Sequence, residues 1–177
     1  SMILLPILMG LRLLLAWTRP GWRKDLRNVS ILFLFCTAVG RPCVVPTGSM
    51  EPTIRPWDWV WLSHLTPASQ LRRGMVVCFP GPDGDKMFCK RLIGLGGDRL
   101  EMRQGQLRIN GQVFHEPWAE ACTDSWGPVD VPEGRLFVMG DHRNNSFDSR
   151  YWGTIPRDFV CSQALGVAFP PQHWKRF

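Results

Sequence analysis

Fifteen prolines and 17 glycines cut this chain into short pieces, and after residue 45 no long amphipathic helix fits between them. Strands need only about five or six residues, whereas helices usually run for about three turns or more, so β structure is the form such pieces can take. The pieces agree with that. "WDWVWLS" alternates strictly, with Trp57, Trp59 and Trp61 on one face and Asp58, Val60 and Leu62 on the other. "GMVVCF" and "KMFCKRLIGL" are strand-like runs joined by the turn-rich "PGPDGD", the pattern of a hairpin. "LRINGQVF" carries Asn110-Gly111 between alternating residues, a strong hairpin signal. "RLFVM" and "VCSQALGVAF" add two further strands. An all-β domain over residues 46–177 is expected.

Two apolar runs precede it, "MILLPILMGLRLLLAW" (Met2–Trp17) and "VSILFLFCTAV" (Val29–Val39). Each is shorter than the ~20 apolar residues that cross a bilayer. The second reaches Val45 only by taking in Arg41. Residues 1–40 hold Arg12, Arg19, Arg23, Lys24 and Arg27 against Asp25, so only +2 of the net +6 is left for the rest. Basic residues gathered between apolar runs, rather than spread over a folded face, point to a membrane and away from nucleic acid. The positive-inside rule puts the loop 18–28 in the cytoplasm and the chain beyond Val45 on the far side. The expected organisation is an anchor of one or two transmembrane helices over 1–45, then an extracytoplasmic domain over 46–177. Two buried core helices are the alternative that the short runs permit. Nine tryptophans against one tyrosine suit a protein that works at a membrane interface.

"PTGSMEPTI" sets Ser49 among glycine and prolines. A serine alcohol becomes a nucleophile only when something takes its proton. The chain has four histidines, His64, His115, His142 and His173. "GDHRNN" places Asp141 beside His142, but neighbours on an extended chain point to opposite faces, so this aspartate cannot orient this histidine. His142 reads as a turn residue. A neutral lysine is the other possible base, and burial lowers its ordinary pKa of about 10.4. Lys90 in "FCKRLIGLGGD" shares the face of an apolar strand with Phe88 and Leu92. The competing reading of Lys90 is an edge-strand charge that discourages aggregation.

"PTGSMEPT", "KRLIGLGGD" and "MGDHRNNSFDSRYWG" follow in that order, and with the chain from Val45 to about Phe169 they resemble bacterial type I signal peptidases, the leader peptidases. The resemblance implies a membrane-anchored, β-fold serine endopeptidase with a serine–lysine dyad. It would remove N-terminal signal peptides from exported preproteins, after the small residues of an A-x-A site, at the outer face of the bacterial cytoplasmic membrane. Ser49 is then the nucleophile and Lys90 the general base. The Thr47 hydroxyl and the Ser49 N–H form the oxyanion hole, and Ser146 orients the lysine. Asp148 and Arg150 pair to brace this loop, with Arg91 nearby, and Val45, Met50, Ile54 and Phe88 wall the substrate pockets. Preproteins and the lipid bilayer are the implied partners. No metal and no cofactor are implied, and the chain has no C-x-x-C pair or zinc-spaced histidine cluster.

The chain departs from the family pattern at several positions. Met75 follows Gly74 where Gly-Asp is usual, and His142 and Asn144 stand where Asn and Asp are more usual. The stretch at about 99–131 has room for only a small accessory region. Cysteines 36, 43, 78, 89, 122 and 161 show no pairing framework. Three other readings share part of the pattern. A self-cleaving repressor with a serine–lysine dyad expects an N-terminal DNA-binding helix-turn-helix, where this chain is apolar. A mitochondrial inner-membrane peptidase has similar motifs. An inactive membrane-anchored binding module would have no need of an intact Ser49 and Lys90.

Overall fold

The computed structural model describes residues 28, 30, 40–81, 84 and 86–177. The two apolar runs and the basic loop lie outside these, apart from the helical Asn28 and Ser30, and so does Cys36. No helix among the described residues is long and apolar enough to cross a membrane.

The strands are β1 (Gly40–Val45), β2 (Asp58–Ser63), β3 (Val76–Pro80), β4 (Met87–Leu95), β5 (Arg99–Arg103), β6 (Gln106–Ile109), β7 (Gln112–Val113), β8 (Trp126–Asp130), β9 (Arg135–Met139), β10 (Ile155–Pro156), β11 (Ser162–Phe169) and β12 (Lys175–Arg176). The larger sheet runs β1-β2-β11-β3-β4-β9-β10, with β12 on β11, and the smaller runs β7-β6-β5-β8. Every pairing is antiparallel.

The expected anchor boundary at Val45 is corrected. Gly40–Val45 is a strand, paired to β2 from Gly40↔Ser63 to Val45↔Asp58. Pro42 cannot sit inside a helix, and the β-branched Val44 and Val45 favour an extended backbone. As an edge strand, β1 tolerates the proline. β2 follows the alternation in its sequence. Asp58, Val60 and Leu62 are buried, while Trp57 and Trp59 are 70% and 37% exposed.

β3 and β4 pair from Val76↔Arg91 to Pro80↔Met87, which sets Cys78 directly opposite Cys89. The two form a disulfide, which the spacing of the cysteines did not disclose. In the smaller sheet Ile109 faces Gln112 across the two-residue turn Asn110-Gly111. Both turn residues have positive φ, 53° and 81°. A type I′ hairpin requires this, and Asn and Gly reach it at least cost.

One buried cluster joins β1, β2, β3 and β11 through Val45, Val60, Leu62, Val76 and Val167. A second joins the two sheets, with Ile93 and Phe137 of the larger packed on Leu100, Met102 and Leu107 of the smaller. Phe137 stacks on Trp126 of β8 with ring centroids 5.5 Å apart. Phe137→Ala should therefore cost about 3–5 kcal/mol of stability in chemical denaturation. A loss within about 0.5 kcal/mol, the range of ordinary surface changes, would contradict this packing.

Candidate active site

Three segments far apart in sequence meet at one end of the larger sheet. The first is the turn after β1. Glu51 N–H donates to Gly48 O at 3.1 Å and Ile54 N–H to Met50 O at 2.9 Å. Residues four apart on such a turn lie on one side, so Met50 and Ile54 both point inward. Both are fully buried in the first core cluster, and neither is among the residues that line the cleft leading to Ser49 and Lys90. Ser49, just before Met50, is left facing β4.

Lys90 comes from β4, opposite Val77 of β3. Its Nζ lies 2.7 Å from Ser49 Oγ and 3.0 Å from Ser146 Oγ. The residue is only 4% exposed. Burial pushes its pKa down from 10.5 to about 8; the attraction of Asp148 opposes this shift and Arg150 reinforces it. An amine that is neutral for part of the time, at hydrogen-bond distance from a hydroxyl, can take that hydroxyl's proton.

Ser146 follows a 3₁₀ turn (Arg143–Asn145), and a single helical turn (Ser149–Trp152) comes next. Asp148 caps that turn and is fully buried. Its carboxylate accepts from Gly140 N–H at 2.9 Å and from Arg150 Nε and Nη2 at 2.9 and 3.0 Å. Arg150 also reaches Asp124 at 2.9 Å. Arg91 points away from Lys90, as alternation requires. It grips both oxygens of Asp141 at 2.7 and 2.5 Å and lies over the Trp118 ring at 4.6 Å. Arg91 therefore braces Asp141, separately from the Asp148–Arg150 pair. Met75 stands beside this network; its carbonyl accepts from Leu92 N–H at 2.8 Å and its side chain packs into the third core cluster.

A cleft of about 450 Å³ leads to Ser49 and Lys90, and Val45, Thr47 and Phe88 line it. Among the described strands β1 pairs only with β2, and Met87–Lys90 of β4 only with β3. Each strand thus offers the cleft an unpaired edge. The Cys78–Cys89 disulfide and the free Cys43 also line it, which the sequence reading did not foresee. His142 was missed as well. Its N–H donates to Ser49 O at 3.2 Å, and its ring Nδ1 lies 3.2 Å from Gly48 O. Its one signal in the sequence was the departure from the more usual asparagine. His64 and His173 bond elsewhere, to Cys161 O and to Asp58.

The family model described as signal peptidase, peptidase S26, matches residues 26–169. The chain belongs to this family. A probable signal peptidase I-2 from Synechocystis is 37% identical over 145 residues, 76% of this chain and 65% of that protein. This chain thus spans less than two thirds of that relative's length. A signal peptidase I from Bacillus licheniformis is 35% identical over 163 residues, 84% of this chain and 88% of its own. Among solved structures, a signal peptidase I from Enterococcus faecalis V583 aligns with 52% of this chain and 95% of its own, at 32% identity and a TM-score of 0.48. Membership places the chain among serine endopeptidases whose characteristic machinery is a serine–lysine dyad.

Gly140, just after β9, lies between Ser146 and the Ser49 backbone. A Cβ on it would collide with Ser146 Oγ and with the Ser49 carbonyl. Gly140→Ala should leave the fold intact but displace both hydroxyls from Lys90. Peptide cleavage should fall by roughly 100-fold, the scale of an ångström-sized misplacement. Undiminished cleavage by a folded Gly140→Ala protein would show that the contact does not set the geometry.

Proposed function

We propose that this chain is a signal peptidase I that cuts signal peptides from exported preproteins after small residues, with Ser49 as nucleophile and Lys90 as general base. The observation that supports it most is the buried Lys90 amine held between two hydroxyls, 2.7 Å from Ser49 Oγ and 3.0 Å from Ser146 Oγ. The preprotein lies extended in the cleft and pairs with the unpaired edges of β1 and β4, a form of strand addition. Val45 and Phe88 wall the pockets that admit its small side chains.

Neutral Lys90 takes the Ser49 proton as Oγ attacks the scissile carbonyl. The Ser49 N–H and the Thr47 hydroxyl donate to the resulting oxyanion. The intermediate collapses, the C–N bond breaks, and the Lys90 ammonium gives its proton to the departing amine of the mature protein. A water, deprotonated by Lys90, then hydrolyses the acyl-serine and frees the signal peptide. Ser146 orients the amine throughout, and the Asp148–Arg150 pair holds the loop that carries it.

The test is cleavage of a preprotein by the full chain. Ser49→Ala and Lys90→Ala should each abolish processing, and the double variant should be no worse than either, because the two act as one unit. The base works only when neutral, and Lys90 has its pKa lowered to about 8. Roughly one lysine in ten is then neutral at pH 7 and roughly nine in ten at pH 9. The value of kcat/KM should rise through about pH 8, and a flat profile from pH 6 to 9 would sink Lys90 as the base.

The N-terminal apolar runs anchor the chain in the cytoplasmic membrane, and the catalytic domain works on the outer side. The exposed Trp57 and Trp59, with Phe169 opposite Trp59 on β11, rest in the bilayer interface and hold the cleft near the membrane. Replacing Trp57, Trp59 and Trp61 with serine should spare the fold and the cleavage of short peptides, yet cut processing of membrane-embedded preprotein. Equal loss on both substrates would remove the interfacial role.

A further inference from the structure

Three oxygens face the His142 ring. Nδ1 lies 3.2 Å from Gly48 O and 3.5 Å from Glu51 Oε2, and Nε2 lies 3.1 Å from Glu120 Oε2. All three are acceptors, and a ring that carries a proton on Nδ1 donates to Gly48 O. The backbone of the same residue donates to the next carbonyl, Ser49 O, at 3.2 Å. One residue therefore grips two successive carbonyls on either side of the Ser49 Cα.

A peptide unit is planar and trans, so its C=O and N–H point in opposite directions. The Gly48 carbonyl and the Ser49 N–H belong to one such unit. Fixing the carbonyl on the His142 side aims the N–H away from it. Gly48 O also accepts Glu51 N–H at 3.1 Å, but that bond lies within the turn and moves with it. The His142 bond comes from outside, from the loop that also carries Ser146. Glycine offers no side chain to resist rotation of this unit, which makes an external hold matter more.

We propose that His142 is a positioning residue for the oxyanion hole. It holds the Gly48–Ser49 peptide so that the Ser49 N–H points at the developing oxyanion, and Glu51 and Glu120 hold the ring in place. This rests on the reading of Ser49 and Lys90 as the dyad. An oxyanion donor contributes only when charge develops on the carbonyl, so its misalignment slows turnover and leaves substrate binding alone.

The test uses the full chain in detergent micelles with a signal-peptide-like substrate. Two probes accompany it: a peptide boronic acid, which forms a tetrahedral adduct with serine, and the uncleaved substrate peptide bound to Ser49→Ala protein. His142→Leu keeps bulk but no donor. It should lower kcat roughly 10–100-fold with KM within about twofold. Boronate affinity should fall in proportion, while ground-state peptide binding in the Ser49→Ala background stays unchanged. His142→Asn, which restores an N–H donor, should recover most of kcat. Equal kcat for the Leu and Asn variants would overturn the proposal, as would a parallel loss of ground-state binding. Glu120→Ala changes an exposed side chain and decides the matter if the Leu variant does not fold. It should lower kcat and boronate affinity severalfold at constant KM, and no change would overturn the proposal. Processing by Ser49→Ala would instead refute the dyad itself, whatever the His142 variants do.

Discussion

Everything at this site depends on burying one amine without giving it a carboxylate. Lys90 and Arg91 are neighbours on β4 and point to opposite faces, and the structure treats their charges in opposite ways. Arg91 receives both oxygens of Asp141 and an aromatic ring, so its charge is fully compensated. Lys90 receives two hydroxyls and lies 5.8 Å from the centre of the Phe88 ring, but among the described residues it has no carboxylate in hydrogen-bond contact. The carboxylate that attracts it most, Asp148, is already bonded to Arg150 and the Gly140 N–H. Without those bonds Asp148 would be an uncompensated charge facing Lys90, and the amine would stay protonated. The Asp148–Arg150 pair thus shapes the loop and also keeps the aspartate from pairing with the lysine.

How far this was legible in the sequence varies with the physics of each residue. Strand alternation is local and has a fixed period, so the faces of "WDWVWLS" and the hairpin at Asn110-Gly111 could be read directly. Ser49, Lys90 and Ser146 were legible only through the three sequence blocks. Nothing local brings together residues 41 and 56 positions apart. The burial of Met50 and Ile54 follows from the helical turn after β1, which no local pattern in the sequence announces. The strand Gly40–Val45 was hidden behind the apolar run that precedes it. The Cys78–Cys89 pairing needs the β3–β4 register, which no cysteine count supplies. His142 was set aside because its neighbour Asp141 could not orient it. That argument was sound about the triad and silent about Gly48.

The cleft follows from where pairing stops. β4 pairs with β9 only from Arg91 to Leu95, so its first half, which carries Phe88 and Lys90, keeps an unpaired edge. Such an edge is usually a liability that invites another strand. At this site the same property suits an enzyme whose substrate must be extended to be cut. Lys90, the proposed base, sits on β4 just before the point where β9 takes over the pairing.

The smaller sheet is tied into this arrangement through the segment between β7 and β8. Trp118 lies under Arg91, and Glu116 pairs with the buried Arg143 at 2.5 Å. Glu120 meets the His142 ring and its N–H donates to Asp141 O at 2.9 Å, while Asp124 meets Arg150. Four basic side chains, Arg91, His142, Arg143 and Arg150, therefore each find a partner within nine residues of this one segment. Three of them leave the loop that carries Ser146, and the fourth adjoins Lys90. Polar side chains taken out of water need both a partner and a shape to fit, and a single aromatic and acidic segment provides both to all four. The accessory sheet, with its hairpin and its stacked Trp126–Phe137 contact, is what holds that segment against the loop. Its distance from the cleft in sequence conceals its part in the chemistry, which is to fix the backbone on which Ser146, and through it the Lys90 amine, depend.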